Sequence, residues 1–284
     1  MIEKDVLPAW ATRKVSTITR RDALLLLDEV KKRAPVGANR LQGVMVRMFH
    51  FAAERGILDH SPLAGMRRGK ETARARVLTN DEIRTLWGFL DLERTEIDIY
   101  KITKLTLKAI LLTGQRTGEF AGMLWDEIDG DVWVIPKERS KNGEENRVPI
   151  LPMFRSVIEQ AQVYSSDSPY VFRSSHKDNR SVTAGALANV IRRHRAEIGI
   201  TDDPYSPHDL RRTCRTRLAE IEVPDIVAEK VLGHRLQGVL GIYNRYDYAD
   251  EKRQALARWK LRVQEILGLA APASNVIRME ARHA

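Results

Sequence analysis

Strand periodicity in this 284-residue sequence is clearest in one region, and helical periodicity lies on both sides of it. Val132, Val134 and Pro136 alternate with Trp133 and Ile135, and Arg147–Leu151 resumes an extended apolar pattern. Between them lies Lys137–Asn146, whose Asn142-Gly143 pair favours a tight turn. The region reads as a β-hairpin with Lys141 at its turn. Everything after Met153 reads mainly helical, over roughly 153–163, 183–197, 208–221, 224–232 and 249–266. The expected fold class is mainly α with a small antiparallel β-sheet, α+β.

The first quarter is also helical. Thr19 is an N-cap for Asp22–Arg33, with Leu24, Leu25, Leu27 and Val30 on one side. Pro35-Val36-Gly37 is expected to break that helix. Ala38–Arg55 follows, with Leu41, Val44, Met45, Met48, Phe49 and Ala52 at helical spacing, and Gly56 closes it. Residues 67–77 are basic and poor in apolar side chains, which suits an interdomain linker. Thr79 through Glu82 is a capping box opening a helix with Ile83, Leu86 and Trp87 inward. Residues 102–113 form an apolar helix. It ends at Thr113-Gly-Gln-Arg-Thr-Gly-Glu119, a turn into a short helix bearing Leu124 and Trp125. The expected organisation is a helical domain over 1–66, a basic linker over 67–77, a second domain over 78–266 and a tail over 267–284.

Positive charge is unevenly distributed. Residues 1–77 hold 16 Lys and Arg against 8 Asp and Glu, whereas the remainder holds 31 against 30. The first quarter therefore carries nearly all of the net +9, as expected for a module that meets a polyanion rather than a merely solvated face. A single cysteine, Cys214, excludes an internal disulfide framework and every CxxC motif, and a buried apolar role suits it. A reducing cytoplasm is the expected compartment. No apolar run approaches the ~20 residues of a membrane span, and the first residues do not have the pattern of a secretory signal. Phosphate-loop, dinucleotide, zinc-protease and nucleophile-elbow signatures are all missing, and the histidines show no metal-ligand spacing.

What remains is a set of polar residues at the ends of expected elements. Arg116 lies in a glycine-flanked turn and Lys141 on the hairpin tip. His208 and Arg211 share one face at a helix start, and His234 follows Val231-Leu232-Gly233. Tyr243 comes nine residues later. Two arginines, a lysine, two imidazoles and a phenol can clamp a phosphodiester, neutralise its transition state and attack it with a side-chain oxygen.

In order and spacing, Thr113-Gly-Gln-Arg-Thr-Gly-Glu119, Ser140-Lys-Asn-Gly143, His208-Asp-Leu-Arg211, Leu232-Gly-His234 and Ile242-Tyr-Asn-Arg245 resemble the tyrosine recombinase (phage integrase) family across roughly 78–262. Within that family, 207–213 and 231–245 look most like integrases of genomic islands and satellite prophages. The basic first quarter resembles the family's helical core-binding domain, which precedes its catalytic domain. Such integrases usually carry a further amino-terminal arm-binding domain. This sequence begins too late for one to be expected, which leaves a fragment or an unusually short member.

The resemblance implies a site-specific recombinase that integrates or excises a mobile element through a 3′-phosphotyrosyl intermediate. Arg116 and Arg211 would clamp the phosphate, and Glu119 would orient the arginines. Lys141 would protonate the leaving 5′ oxygen; Lys137 and Arg139 lie on the same hairpin without the family's Lys-Asn-Gly context. His208 and His234 would hydrogen-bond the phosphate or help move a proton. Tyr243 would be the nucleophile, with Tyr246 and Tyr248 as neighbouring competitors, and Arg212 would serve a structural or DNA-backbone role. Neither a metal nor another cofactor is expected. The partners implied are double-stranded DNA at attachment-site core sequences, three further copies in a homo-tetramer, and DNA-bending accessory proteins, with no membrane. Two other readings remain open: a type IB topoisomerase-like enzyme that relaxes one duplex, and a catalytically inactive DNA-binding regulator.

Overall fold

The computed structural model describes residues 1–71, 75–96, 98–175, 180–235, 238, 244 and 246–269. The chain divides into two compact units, Met1–Arg74 and Ala75–Ala284. The expected tail from residue 270 onward lies outside the described residues.

The first unit is helical: α1 Leu7–Trp10, α2 Arg20–Arg33 and α3 Pro35–Glu54. Thr19 caps α2 in a reciprocal box with Asp22, in which each side chain meets the other residue's backbone N–H. Helix α2 ends at Arg33, at the break expected from Pro35-Val36-Gly37, and Ala34, with φ −155°, separates it from α3, which Pro35 itself begins. Pro35 occupies the first turn of α3, where its missing N–H costs nothing because that position has no intrahelical acceptor. Leu41, Met45, Phe49 and Ala52 of α3 are buried against Ala23, Leu27 and Val30 of α2, with Trp10 edge-on to Phe49 at 6.4 Å. Leu24 and Leu25 were expected to face inward too, but both are exposed. The core takes Ala23 and Leu27, one turn apart; of the three leucines between them Leu24 and Leu25 point away and Leu26 is half-buried against the cluster. The chain leaving this unit runs back along α3: Asn39 exchanges two hydrogen bonds of 3.1 Å with the backbone of Gly69, and Gln42 donates to the carbonyl of Arg67 at 3.1 Å.

The second unit is built around α5 Lys101–Thr113, which is buried along almost its whole length. Before it, Thr79 and Glu82 form the expected capping box at the start of α4 Asn80–Phe89. After it come α6 Thr117–Ala121 and a three-stranded antiparallel sheet of β1 Ile128–Asp129, β2 Val132–Ile135 and β3 Asn146–Pro149. Trp133 pairs with Val148 and Ile135 with Asn146, so alternate residues of β2 are buried. Leu124 and Trp125 lie beyond α6, not on it: Leu124 bridges to Tyr170, and Trp125 opens a 3-10 turn. That turn brings Glu127 beneath the sheet, where it accepts from Trp133 Nε1 at 3.0 Å.

Helices α7 Pro152–Ser165, α8 Ala184–Arg193 and α9 Arg195–Ile198 follow. The expected single helix over 183–197 is therefore two, interrupted at His194. Next come α10 Pro207–Glu220, α11 Asp225–Val231 and α12 Ala249–Ile266. Both α7 and α10 pack on α5. On α12, Trp259 is buried and donates Nε1 to the carbonyl of Leu111 at 3.0 Å, tying that helix to α5 as well. Phe120, Trp133, Phe154 and Phe172 form an aromatic cluster with centroids 4.9–6.3 Å apart. Among the described residues no helix is long and apolar enough to cross a membrane.

Candidate active site

The end of α5 sets the geometry. Gly114 terminates the helix in the left-handed conformation, and the next residue, Gln115, is fully buried. Gln115 Nε2 donates to the carbonyls of Thr113 (3.0 Å) and Val231 (2.7 Å), and its Oε1 accepts from Asn146 at 3.0 Å. One amide thus fastens this turn to α11 and to β3. Arg116, the next residue, is the N-cap of α6. Glu119, one turn into that helix, is buried; it accepts from Arg116 Nη1 at 2.7 Å and from the Arg116 backbone N–H at 2.9 Å. The guanidinium is thereby aimed rather than free, and its other arm approaches the carbonyl of Gly233 at 3.4 Å.

Arg211 is more deeply buried, 4% exposed, on the second turn of α10. Nη1 donates to the carbonyl of Gly114 at 2.8 Å, and Nη2 to that of Leu232 at 2.9 Å. Nη2 also lies 2.7 Å from His234 Nε2. Among the described residues no carboxylate forms an ion pair with it. Burial, and after it the charge of Arg116, pushes its pKa down to about 10. A guanidinium held by neutral acceptors beside a second guanidinium keeps its charge available to an anion.

His234 is set by the end of α11. Leu232 is the C-cap and Gly233 follows with φ +62°. The N–H of Gly233 bonds to the carbonyl of Lys230 (3.0 Å) and that of His234 to the carbonyl of Glu229 (2.9 Å), the paired pattern of a Schellman motif. The side chain of Glu229 then meets His234 Nδ1. His208 is exposed at the start of α10. Partial burial, then Arg212 and Arg211, lowers its pKa. Arg116, Lys141, His208, Arg211 and His234 all line one open cavity of about 500 Å³. Five of the residues singled out from the sequence therefore share one wall, and Glu119 stands behind one of them.

Tyr243 lies outside the described residues. The hydroxyls of its two competitors are engaged elsewhere: Tyr246 donates to Glu251 at 3.2 Å, and the Tyr248 hydroxyl accepts from Asn244 at 2.6 Å. The bond to Glu251 also raises the pKa of Tyr246, which opposes a nucleophilic role. Of the alternatives to Lys141, Arg139 is used up by a two-pronged ion pair with Glu127 at 2.7 and 2.6 Å, and Lys137 is an exposed neighbour of Glu138. Arg212 is paired with the buried Asp209 at 2.5 Å. Asp209 also accepts from the backbone and hydroxyl of Ser206, capping α10. Cys214 is fully buried, which pushes its thiol up to about 12 and makes it inert.

Sequence reasoning missed Glu229, Arg215, Asn142 and Gln115. Asn142 Nδ2 donates to the carbonyl of Gly233 at 2.5 Å, which ties the hairpin loop to the end of α11. Asn142 and Gln115 stand within the motifs quoted from the sequence, which gave them no role; Glu229 stands five residues before His234, the spacing at which a Schellman end brings the two together.

Residues 76–250 match the phage integrase family. Prophage integrase IntA of Escherichia coli (strain K12) is 25% identical over 266 residues, covering 91% of this chain and 62% of its own length. Prophage integrase IntZ of the same strain is 26% identical over 275 residues, covering 94% and 65%. The chain thus spans less than two thirds of the length of these two curated relatives. Among solved structures, a lambda integrase dimer bound to a COC′ core site has a TM-score of 0.66 at 19% identity, covering 87% of this chain and 86% of that one. A lambda integrase tetramer bound to a Holliday junction also scores 0.66 at 19% identity, covering 87% and 70%. At these identities the likeness to the solved structures is one of fold. The family match takes in well over half of the sequence, and the chain belongs to the phage integrase family.

Proposed function

We propose that this chain cleaves and rejoins duplex DNA as a site-specific recombinase of a mobile element, with Tyr243 as nucleophile. The observation that carries the reading is Arg211: a buried guanidinium held by two peptide carbonyls and an imidazole, beside Arg116, on the wall of an open cavity. Two such groups can each present paired N–H donors to the non-bridging oxygens of a phosphodiester. They stabilise the extra charge of its pentavalent transition state, because they are already oriented before the reaction starts.

In this scheme Tyr243 Oη passes its proton to His208 and attacks phosphorus, the 3′-phosphotyrosyl bond forms, and the bond to the 5′ oxygen breaks. Lys141 gives its proton to that leaving oxygen, and His208 and His234 hydrogen-bond the phosphate. Glu119 keeps Arg116 in place. A 5′ hydroxyl of the partner duplex then gives its proton to Lys141 and attacks the phosphotyrosine, and Tyr243 leaves with the proton returned by His208. Each step exchanges one phosphodiester for another, so no ATP is consumed. The similarity to lambda integrase supports duplex core sites as substrate and a tetramer passing through a Holliday junction. The basic first unit would act as the core-binding domain, bending proteins would assist, and the reaction would take place in the cytoplasm.

The test is a nicked suicide duplex carrying a core site, from which the released strand diffuses away. The protein should be trapped as a covalent adduct that survives denaturation. Tyr243→Phe should bind the duplex and form no adduct. An adduct with that variant refutes the nucleophile assignment. No adduct with the unaltered chain on any core-site duplex supports the inactive regulator instead. Adducts with relaxation of supercoiled DNA, but without exchange between two sites, would indicate topoisomerase chemistry.

A further inference from the structure

Glu229 has no part in the chemistry just described, yet it sits directly behind His234. One carboxylate oxygen meets His234 Nδ1, and the other accepts from Arg215 Nε at 2.8 Å. Arg215 is one turn along α10 from Arg211, and its second arm reaches Asp225 at 2.8 Å. Glu229 therefore joins the helix that carries Arg211 to the imidazole that touches it.

The chemistry of the partners decides where the ring hydrogen lies. A carboxylate only accepts and a guanidinium only donates. Nδ1, facing Glu229, therefore carries the hydrogen, and Nε2, 2.7 Å from Arg211 Nη2, is an acceptor. The ring is neutral in this arrangement. That agrees with burial, the largest influence on it, lowering its pKa against the opposing pull of Glu229.

A phosphate oxygen that displaces Nε2 from Arg211 changes the requirement. Nε2 then needs a hydrogen of its own to meet the oxygen. One proton from solvent supplies it, gives the imidazolium with Nδ1–H still on Glu229, and changes no bond between heavy atoms. We infer that Glu229 is the positioning residue for His234: it fixes the Nδ1–H tautomer, turns Nε2 toward the phosphate cavity, and supplies the negative charge that lets the ring take up this proton when DNA binds. The role in cleavage rests on the function proposed above.

The groups facing the ring fall into two sets. Arg211 of α10 and Arg116 at the start of α6 oppose its protonation, with Lys141 and His208 on the same cavity wall. Glu229 favours it; beyond His234, Arg235 is paired with Glu144 at 2.9 Å. Burial tends to raise the pKa of Glu229, but the bonds from Arg215 and His234 outweigh it and keep the carboxylate ionised.

The experiment compares the full chain with Glu229→Gln and Glu229→Asp. Ring ¹⁵N spectra of His234 should show the Nδ1–H tautomer in the unaltered chain and protonation at lower pH in Glu229→Gln. Single-turnover cleavage of the suicide duplex at saturating protein should fall about 10- to 100-fold in Glu229→Gln, by analogy with carboxylates behind metal-bound histidines. The alkaline limb of its pH profile should move to lower pH, and Glu229→Asp should restore part of the rate and the position of the limb. In a His234→Ala background, Glu229→Gln should add little. An unchanged tautomer and titration in Glu229→Gln overturns the inference, as does a full additional loss in the His234→Ala background. If the unaltered chain forms no adduct, the proposed function fails, and the ring spectra still decide the part played by Glu229.

Discussion

Replacing Gly233 by alanine tests how the end of α11 holds the site together. The residue has φ +62°, and an added Cβ would lie 2.7 Å from Asn146 Nδ2. Left-handed backbone costs a residue with a side chain about 1–2 kcal/mol. Asn146 can yield only by giving up its buried 3.0 Å bond to Gln115, the amide that fastens the Arg116 turn. Leaving that pair unsatisfied costs about 1–3 kcal/mol. The expected destabilisation is therefore about 2–5 kcal/mol. Urea unfolding followed by tryptophan fluorescence reads it, since Trp133 and Trp259 are both buried in the same unit. With a slope of about 2–3 kcal/mol per molar, the midpoint should fall by about 1–2 M. Gly130→Ala is the control: φ is +55° there, but no atom lies within 4 Å of an added Cβ. It should show the backbone cost alone, about 1–2 kcal/mol. Equal shifts for the two variants would refute the claim that Gly233 is needed for its close approach to Asn146.

Three further outcomes are expected. Arg211→Lys should lose on the order of 10²–10³ in cleavage rate despite keeping its charge, because one ammonium cannot span the carbonyls of Gly114 and Leu232; near-normal adduct formation would remove Arg211 from the phosphate clamp. Lys252 is buried, donates to the carbonyl of Arg147 at 2.8 Å, and is pushed by burial from 10.5 down to about 8. Between those two values the unfolded chain holds a proton that the folded chain has shed, so stability should rise with pH across the window, by on the order of a few kcal/mol; urea midpoints in Lys252→Met should lack this rise, and parallel profiles would refute it. A fragment beginning at Ala75 keeps its own hydrophobic core but loses most of the excess charge, so it should bind a core-site duplex more weakly, with a log–log salt slope shallower by about 0.9 per lost phosphate contact; equal slopes would make the basic quarter a solvated face.

The features legible in the sequence were those whose partners are close along the chain. The N-cap at Thr19 and the capping box at Thr79 need only residues within one turn. The hairpin was visible because a period of two is unambiguous beside a turn dipeptide. The facing of α2 was not, because Ala23–Leu27 is a continuous apolar run and only the partner helix decides which part is covered. The interruption at His194 had no strong breaker to mark it, whereas the stop of α6 before Leu124 carries one in Gly122, its C-cap. In the site, residue types and order pointed to Arg116, Lys141, His208, Arg211 and His234. What holds them did not show, because Arg211 reaches a carbonyl 97 residues away and Gln115 one 116 residues away. Main-chain acceptors leave no trace in side-chain identity.

That last point changes what Arg211 reports. Gly114 and Leu232 are the C-caps of α5 and α11, so the guanidinium spans the places where two helices stop. It works as a gauge of helix length. One residue inserted into α11 would rotate its terminal carbonyl by about 100° and advance it by about 1.5 Å, out of line with Nη2, while every side chain now in the cavity could still be present. Substitutions that spare both stopping points should leave the gauge reading the same, whatever side chains they bring. In this protein the placement of the Arg211 charge is written in where two helices end, and a change in helix length would displace it without touching a cavity side chain.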